Sequence, residues 1–171
     1  MKELRFVGRC GLDAHAEAAR LFSLAAMTEH KYVQLRPSWN PRRPGSPEAA
    51  VVRIDEKEVL TYSQDYRFDL TLVLDCGILG LFRADAGLKN GGLVLINEVR
   101  PSTPRPPNYL SFDLDGRSEA HKIPLATAAA VAASALGQFL MISSLIGVSE
   151  VTLREGIEII WQEVRKLRSP Q

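Results

Sequence analysis

The stretch from Leu4 to Met27 joins a short apolar run, Leu4-Arg5-Phe6-Val7, through Gly8-Arg9-Cys10-Gly11 to a long alanine-rich segment. The apolar run is too short for a helix, and the glycines that follow interrupt either regular structure, so it reads as a strand leading into a loop. From Asp13 onward, Ala14, Ala18, Leu21, Phe22, Ala25 and Ala26 recur at steps of three and four residues, which is the spacing of one helical face. Asp13 is placed as the N-cap. A strand that feeds a helix through a glycine turn is how open α/β sheets with a ligand crevice begin.

The rest of the chain extends that pattern. Lys31 to Leu35 reads as a second strand and Ala50 to Ile54 as a third, with Val59 to Tyr62 as its hairpin partner. Leu70 to Asp75 and Leu93 to Asn97 are nearly continuous in apolar and β-branched residues, the pattern of strands buried on both faces of a parallel sheet. Between them, Ile78 to Ala86 is expected as a short helix and Asn90-Gly91-Gly92 as a turn, which makes a βαβ unit. Tyr109 to Asp113 reads as a short edge strand before an Asp115-Gly116 turn. The final helix carries Leu153, Ile157, Ile160, Trp161, Val164 and Leu167 on one stripe, with Thr152 and Glu155 at capping-box spacing.

From Ile123 to Val148 no residue is charged, a run long enough to raise a membrane-spanning helix. Pro124, Gly137, Gln138 and the Ser143-Ser144 pair divide it, so two buried helices that break at Gly137 are the expected outcome. The fold class is thus α/β: a three-layer open sheet, largely parallel, with helices on both faces, Rossmann-like with an altered glycine loop. At 171 residues, 46% apolar, the chain fits one compact domain spanning 1–171. Two stiff loops, at 37–47 and 98–108, each hold four prolines. Trp39 and proline stiffness favour a functional or partner-facing role for the first.

A net charge of +1 gives no general reason to expect nucleic acid or a membrane as partner. Two cysteines, Cys10 and Cys76, cannot build a disulfide framework, and fall short of the four thiolates an iron-sulfur cluster ordinarily takes. No signal-peptide pattern precedes Leu4, so the expected compartment is the cytoplasm. The cysteines follow apolar strands and read as small buried hydrophobes, with a thiol enzyme as the rival reading. His15 reads as a helix-surface residue, and the isolated His30 and His121 suggest no metal site.

Dinucleotide binding at the first loop is disfavoured on the residues themselves. Asp13 stands where a Rossmann fingerprint needs its third glycine, and the second strand ends in Arg36 rather than an acid. Arg36, Arg42 and Arg43 gather around Trp39, either as a solvated loop or as a fork for phosphate, carboxylate or a partner surface.

Taken in order, these elements resemble the gamma subunit, or gamma-type domain, of 2-oxoacid:ferredoxin oxidoreductases, the group acting on pyruvate, 2-oxoglutarate, ketoisovalerate and indolepyruvate. The resemblance is carried by Leu4 to Gly11, by Arg43-Pro44-Gly45 before Val51-Val52-Arg53-Ile54, by the Leu70 to Asp75 strand and by Leu88-Lys89-Asn90-Gly91-Gly92 before Leu93. Ile123-Pro124 at the alanine-rich helix, Leu136-Gly137 and Val148-Ser149 add to it. Cys10 and Asp13 replace two glycines of the family's loop, and Pro44 replaces one of its Arg-Gly-Gly segment. The resemblance implies a subunit that is not catalytic alone. Thiamine diphosphate and iron-sulfur clusters would sit on thiamine-binding and ferredoxin-like partner chains, and this chain would help form the coenzyme A side. Gly8, Gly11, Arg42, Arg43 and Gly45 are the expected acceptor or partner contacts. No catalytic or metal-ligating residue is expected here, and a homodimer stays open. The alternative is a divergent Rossmann-like binding or scaffold module without oxidoreductase partners.

Overall fold

The computed structural model describes residues 1–37, 43–101 and 103–168. In chain order the elements are β1 (Lys2–Arg9), α1 (Ala14–Thr28), β2 (Tyr32–Pro37), β3 (Pro47–Asp55), β4 (Phe68–Val73), β5 (Leu88–Asn97), β6 (Tyr109–Phe112), α2 (Leu114–His121), α3 (Leu125–Gly137), α4 (Ile142–Val148) and α5 (Arg154–Lys166). Single 3₁₀ turns stand at Cys76–Ile78 and Val151–Leu153. The sheet has six strands in the order β2-β3-β1-β4-β5-β6. β1, β4, β5 and β6 run parallel to one another, whereas β3 runs antiparallel to both β1 and β2. The sheet is largely parallel, as the sequence implies, with β3 alone reversed.

Register decides which side chains meet. Leu4 pairs with Leu70 and Phe6 with Leu72, so their side chains share one face of the sheet. That face joins Ala18 and Phe22 of α1, Leu136 of α3 and Ile157 and Ile160 of α5 in one buried cluster. α3 is the hub, because its alanines let it lie against both α1 and α5 while staying almost wholly buried. Leu114 of α2 and Leu145 of α4 enter the same cluster, so all five helices cover this face.

The second face is built differently from the expectation of helices on both sides. Val7, Val73, Val94 and Ile96 are covered by Ile78, Ala84, Leu79 and Phe82, which come from an irregular segment with only a 3₁₀ turn. The helix expected over 78–86 does not form because the segment is tethered flat at both ends. Asp75 accepts from the Gly77 amide at 2.8 Å. Arg5 donates to the Ala84 carbonyl at 2.7 Å, with its guanidinium 4.4 Å from the Phe68 ring centre and 5.9 Å from that of Phe82.

Other departures share this cause: polar groups distant in sequence outbid local pattern. Residues 59–62 form no strand, since both edges of β3 are already paired and Arg53 takes the Thr61 and Ser63 carbonyls at 2.9 Å. The Asp115-Gly116 turn is instead the first turn of α2, where Asp113 accepts from the Gly116 amide and Asn97 from the Leu114 amide. Asn90 to Gly92 lie inside β5 at a register shift, not in a free turn. Asp13 sits at the α1 N-cap but its side chain makes no cap bond, and α5 likewise begins at Arg154 without the Thr152 cap. The uncharged run divides where expected: α3 ends at Gly137, whose missing side chain leaves room for the Phe139 ring. No helix among the described residues is long and apolar enough to cross a membrane.

Candidate functional site

β1 has β3 on one side and β4 on the other, and the chain leaves β1 through α1 toward the β2 and β3 side before returning as β4. The loops after β1 and β4 therefore diverge, which makes the carboxyl end of this strand pair the place where open α/β sheets hold ligands. Residues 43–46 lie against the loop after β1, on one side of the place where such a crevice would form. The Cys10 amide donates to the Ser46 carbonyl at 2.8 Å, and the Gly45 amide to the Cys10 carbonyl at 3.3 Å. Gly8, Gly11, Arg43 and Gly45 are thus brought together, while Arg42 and Trp39 lie outside the described residues. Arg36 does not belong to the group: it donates to the Tyr62 carbonyl at 3.1 Å and stands 5.8 Å from the Tyr62 ring centre.

The glycines play different parts. Gly11 at φ +94° and Gly45 at φ +83° hold backbone conformations that other residues rarely adopt, and among the described residues nothing lies within 4 Å of where a Gly11 Cβ would be. Gly8 serves packing, because a Cβ there would fall 2.6 Å from His15 Nδ1. His15 is accordingly buried at 2% exposure rather than on the helix surface, with Nδ1 3.1 Å from the Leu12 carbonyl and Nε2 3.9 Å from Glu48 Oε2.

Sequence reasoning passed over Arg9 and Asp75. Arg9 Nε donates to Asp75 Oδ2 at 2.5 Å, while Asp75 Oδ1 accepts from the Gly77 amide. A Cβ on Gly77 would fall 2.8 Å from Arg9 Nη2, and one on Gly45 would fall 3.8 Å from Arg9 Nη1. The hydrogen bond from Arg9 holds the Asp75 carboxyl below its ordinary range against partial burial, and the Gly77 amide adds to this. The available signal was an arginine inside the first glycine loop and an acid ending the next parallel strand.

The cysteines divide: Cys10 is buried, whereas Cys76 is exposed, contrary to the reading of both as buried hydrophobes. Cys76 opens onto a separate cleft of about 1040 Å³ at the carboxyl ends of β4 and β5, lined also by Phe82, Arg105 and Tyr109. There Arg105 Nη2 pairs with Glu98 at 2.9 Å, and among the described residues its buried Nη1 has no hydrogen-bond partner. Of the residues weighed from the sequence, Cys76 lines this cleft, while the expected acceptor contacts Gly8, Gly11, Arg43 and Gly45 do not.

A mixed, mostly parallel sheet with helices on one face and a glycine-flanked arginine at its switch point defines an α/β domain with an altered glycine loop. Residues 3–167 match the family described as pyruvate ferredoxin/flavodoxin oxidoreductase, and the chain belongs to that family. It is 42% identical over 97 residues to the pyruvate/ketoisovalerate oxidoreductases common subunit gamma of Thermococcus kodakarensis, covering 57% of this chain and 52% of that protein. Against the subunit of the same name from Pyrococcus abyssi it is 39% identical over 118 residues, 66% of this chain and 63% of that one. The chain thus matches between about half and under two thirds of the length of these relatives. The fold is similar to that of pyruvate oxidoreductase subunit PORC from Thermotoga maritima, with a TM-score of 0.73 at 19% identity over 96% of this chain and 95% of that one. It is equally similar to the gamma subunit of a keto/oxoacid ferredoxin oxidoreductase from Geobacter sulfurreducens, with a TM-score of 0.72 at 19% identity over 98% of each chain.

Proposed function

We propose that residues 1–171 form one gamma-type domain acting as the gamma subunit of a cytoplasmic 2-oxoacid:ferredoxin oxidoreductase complex. The observation that carries this reading is the family match over residues 3–167, which takes in nearly every element of the fold. The chain is not catalytic alone. Thiamine diphosphate and the iron-sulfur clusters are held by thiamine-binding and ferredoxin-like partner subunits, and this chain supplies architecture and part of the coenzyme A side.

The switch-point residues fit the phosphate end of coenzyme A. Gly11 and Gly45 hold positive φ without side chains, Arg9 brings a guanidinium beside Gly45, and Arg43 belongs to the segment that bonds the Cys10 backbone. Coenzyme A supplies the thiol that takes up the acyl group. Gly11, Arg42, Arg43 and Gly45 would bind its phosphates or a partner, and Gly8 sets the loop's course by making room for His15.

The test is to isolate the tagged chain from its native cell and assay the eluate for thiamine diphosphate, iron and oxoacid-dependent dye reduction. Larger thiamine and iron-sulfur subunits recovered with that activity are the expected result. A lone chain of 18.9 kDa without cofactor overturns the reading in favour of a scaffold module.

A further inference from the structure

The switch-point crevice contains an arginine only partly engaged by its partners. Arg9 bonds Asp75 through Nε, and among the described residues no hydrogen bond engages Nη1 or Nη2. The side chain is 36% exposed, so these amino groups are within reach of a solute. Two loops make room for them. Gly77 does not hold a positive φ, so its backbone would accept another residue, yet a Cβ there would fall 2.8 Å from Nη2. Glycine at 77 therefore provides space for the guanidinium itself, with Gly45 on the Nη1 side. Asp75 is fixed in turn by the Gly77 amide at 2.8 Å, so the arginine is held at Nε by an acid that is itself held.

We propose that Arg9 is the anion-recognition residue of this crevice, positioned by Asp75 so that its two terminal amino groups receive a phosphoryl group. The proposal deepens, and rests on, the acceptor-side reading above. A guanidinium held at Nε keeps its terminal edge for a bidentate contact, which an ammonium cannot reproduce. Arg43, two residues from Gly45 in the same segment, is exposed and carries the further positive charge that a multiply charged phosphate would call for. Asp75 acts through Arg9 and is a positioning residue.

The probe is inorganic pyrophosphate titrated calorimetrically into the full chain. Arg9→Lys is expected to weaken binding by about tenfold or more, because the charge stays and the fork is lost. Gly77→Ala is expected to weaken it without any change of net charge. Asp75→Asn removes a negative charge beside the ligand, so electrostatics alone predicts tighter binding; the positioning role predicts binding about threefold weaker. Unfolding midpoints taken in parallel show that each variant is folded. Binding by R9K within about twofold of wild type, tighter binding by D75N, or no binding by the wild-type chain up to about 10 mM each overturns the proposal. A chain that co-purifies with cofactor-bearing subunits while R9K binds normally defeats Arg9 and leaves the subunit reading standing. Binding through Arg9 in a chain that purifies alone does the reverse.

Discussion

The two ends of β1 each carry an arginine-carboxylate pair, and the pairs are opposites. At the amino end, Arg53 and Glu3 are buried to 1% and 3% side-chain exposure. Every arm of Arg53 is engaged: Nε with Glu3, Nη1 with Gln34 and the Thr61 carbonyl, and Nη2 with the Ser63 carbonyl. The Tyr66 ring lies 4.6 Å away, and the second Glu3 oxygen takes the Arg67 amide. At the carboxyl end, Arg9 and Asp75 are 36% and 26% exposed, and among the described residues Arg9 bonds through Nε alone. The inference to draw from an arginine-acid pair thus turns on how many donors remain. A saturated guanidinium holds chain segments together; an unsaturated one between two glycines is kept for something that comes and goes.

The largest predicted effect tests the saturated pair. Arg53→Met leaves Glu3 buried without its partner and frees the loop at residues 57–67, so stability should fall by about 3–5 kcal/mol in a denaturant titration. The loop presents Leu60 at 65% and Tyr62 at 76% exposure, so limited proteolysis should nick it first in that variant. Replacing Glu3 by Leu as well should recover part of the loss. Arg9→Met should lower the midpoint only slightly, because its pair with Asp75 is partly exposed to solvent. Equal losses from Arg9→Met and Arg53→Met would break the comparison and make both pairs structural.

The next effect separates two glycines of the same loop. Gly8→Ala drives a Cβ against His15 and should cost about 1–3 kcal/mol. Adding His15→Ala should restore much of that. Gly11→Ala should cost a similar amount, about 1–3 kcal/mol, through backbone strain at φ +94°. His15→Ala should not relieve it. Relief in both cases, or in neither, would show that the two glycines do not divide as packing and conformation.

Legibility in the sequence follows the range of the interactions involved. β1, its glycine loop, α1, the apolar strands β4 and β5, and the split between α3 and α4 were readable because periodicity and glycine or proline punctuation are local. The coil over 78–86, the missing strand at 59–62 and the start of α2 were not. Each is decided by a polar side chain from another strand: Arg5, Arg53 and Asn97 respectively. The candidate site divides in the same way. Gly11 and Gly45 announce themselves as glycines in loops, whereas Arg9 acquires meaning only from the register Val7↔Val73, which carries Arg9 toward Asp75. His15 reads as a surface residue until Gly8 is seen to leave space for it.

The smallest effect compares the ends of β4 by acid. Asp69 accepts from Lys89 at 2.6 Å and from the Glu3 amide at 2.9 Å, with Lys2 at 3.3 Å. Burial pushes its pKa up, but these partners together hold it below the ordinary value, as Arg9 does for Asp75. A carboxylate whose folded pKa is depressed stabilises the fold fully above the unfolded value, near about 4, and loses that contribution as pH falls through the lower folded value. Urea midpoints measured from neutral pH downward should therefore drop below about pH 4. Asp69→Asn and Asp75→Asn should each flatten that limb, Asp69→Asn more, since Asp69 is 15% exposed against 26% and has more partners. A flatter limb for Asp75→Asn than for Asp69→Asn would mean that the Arg9 pair carries more of the fold than the amino-terminal cluster does, and Arg9 would then be no freer for a ligand than Arg53.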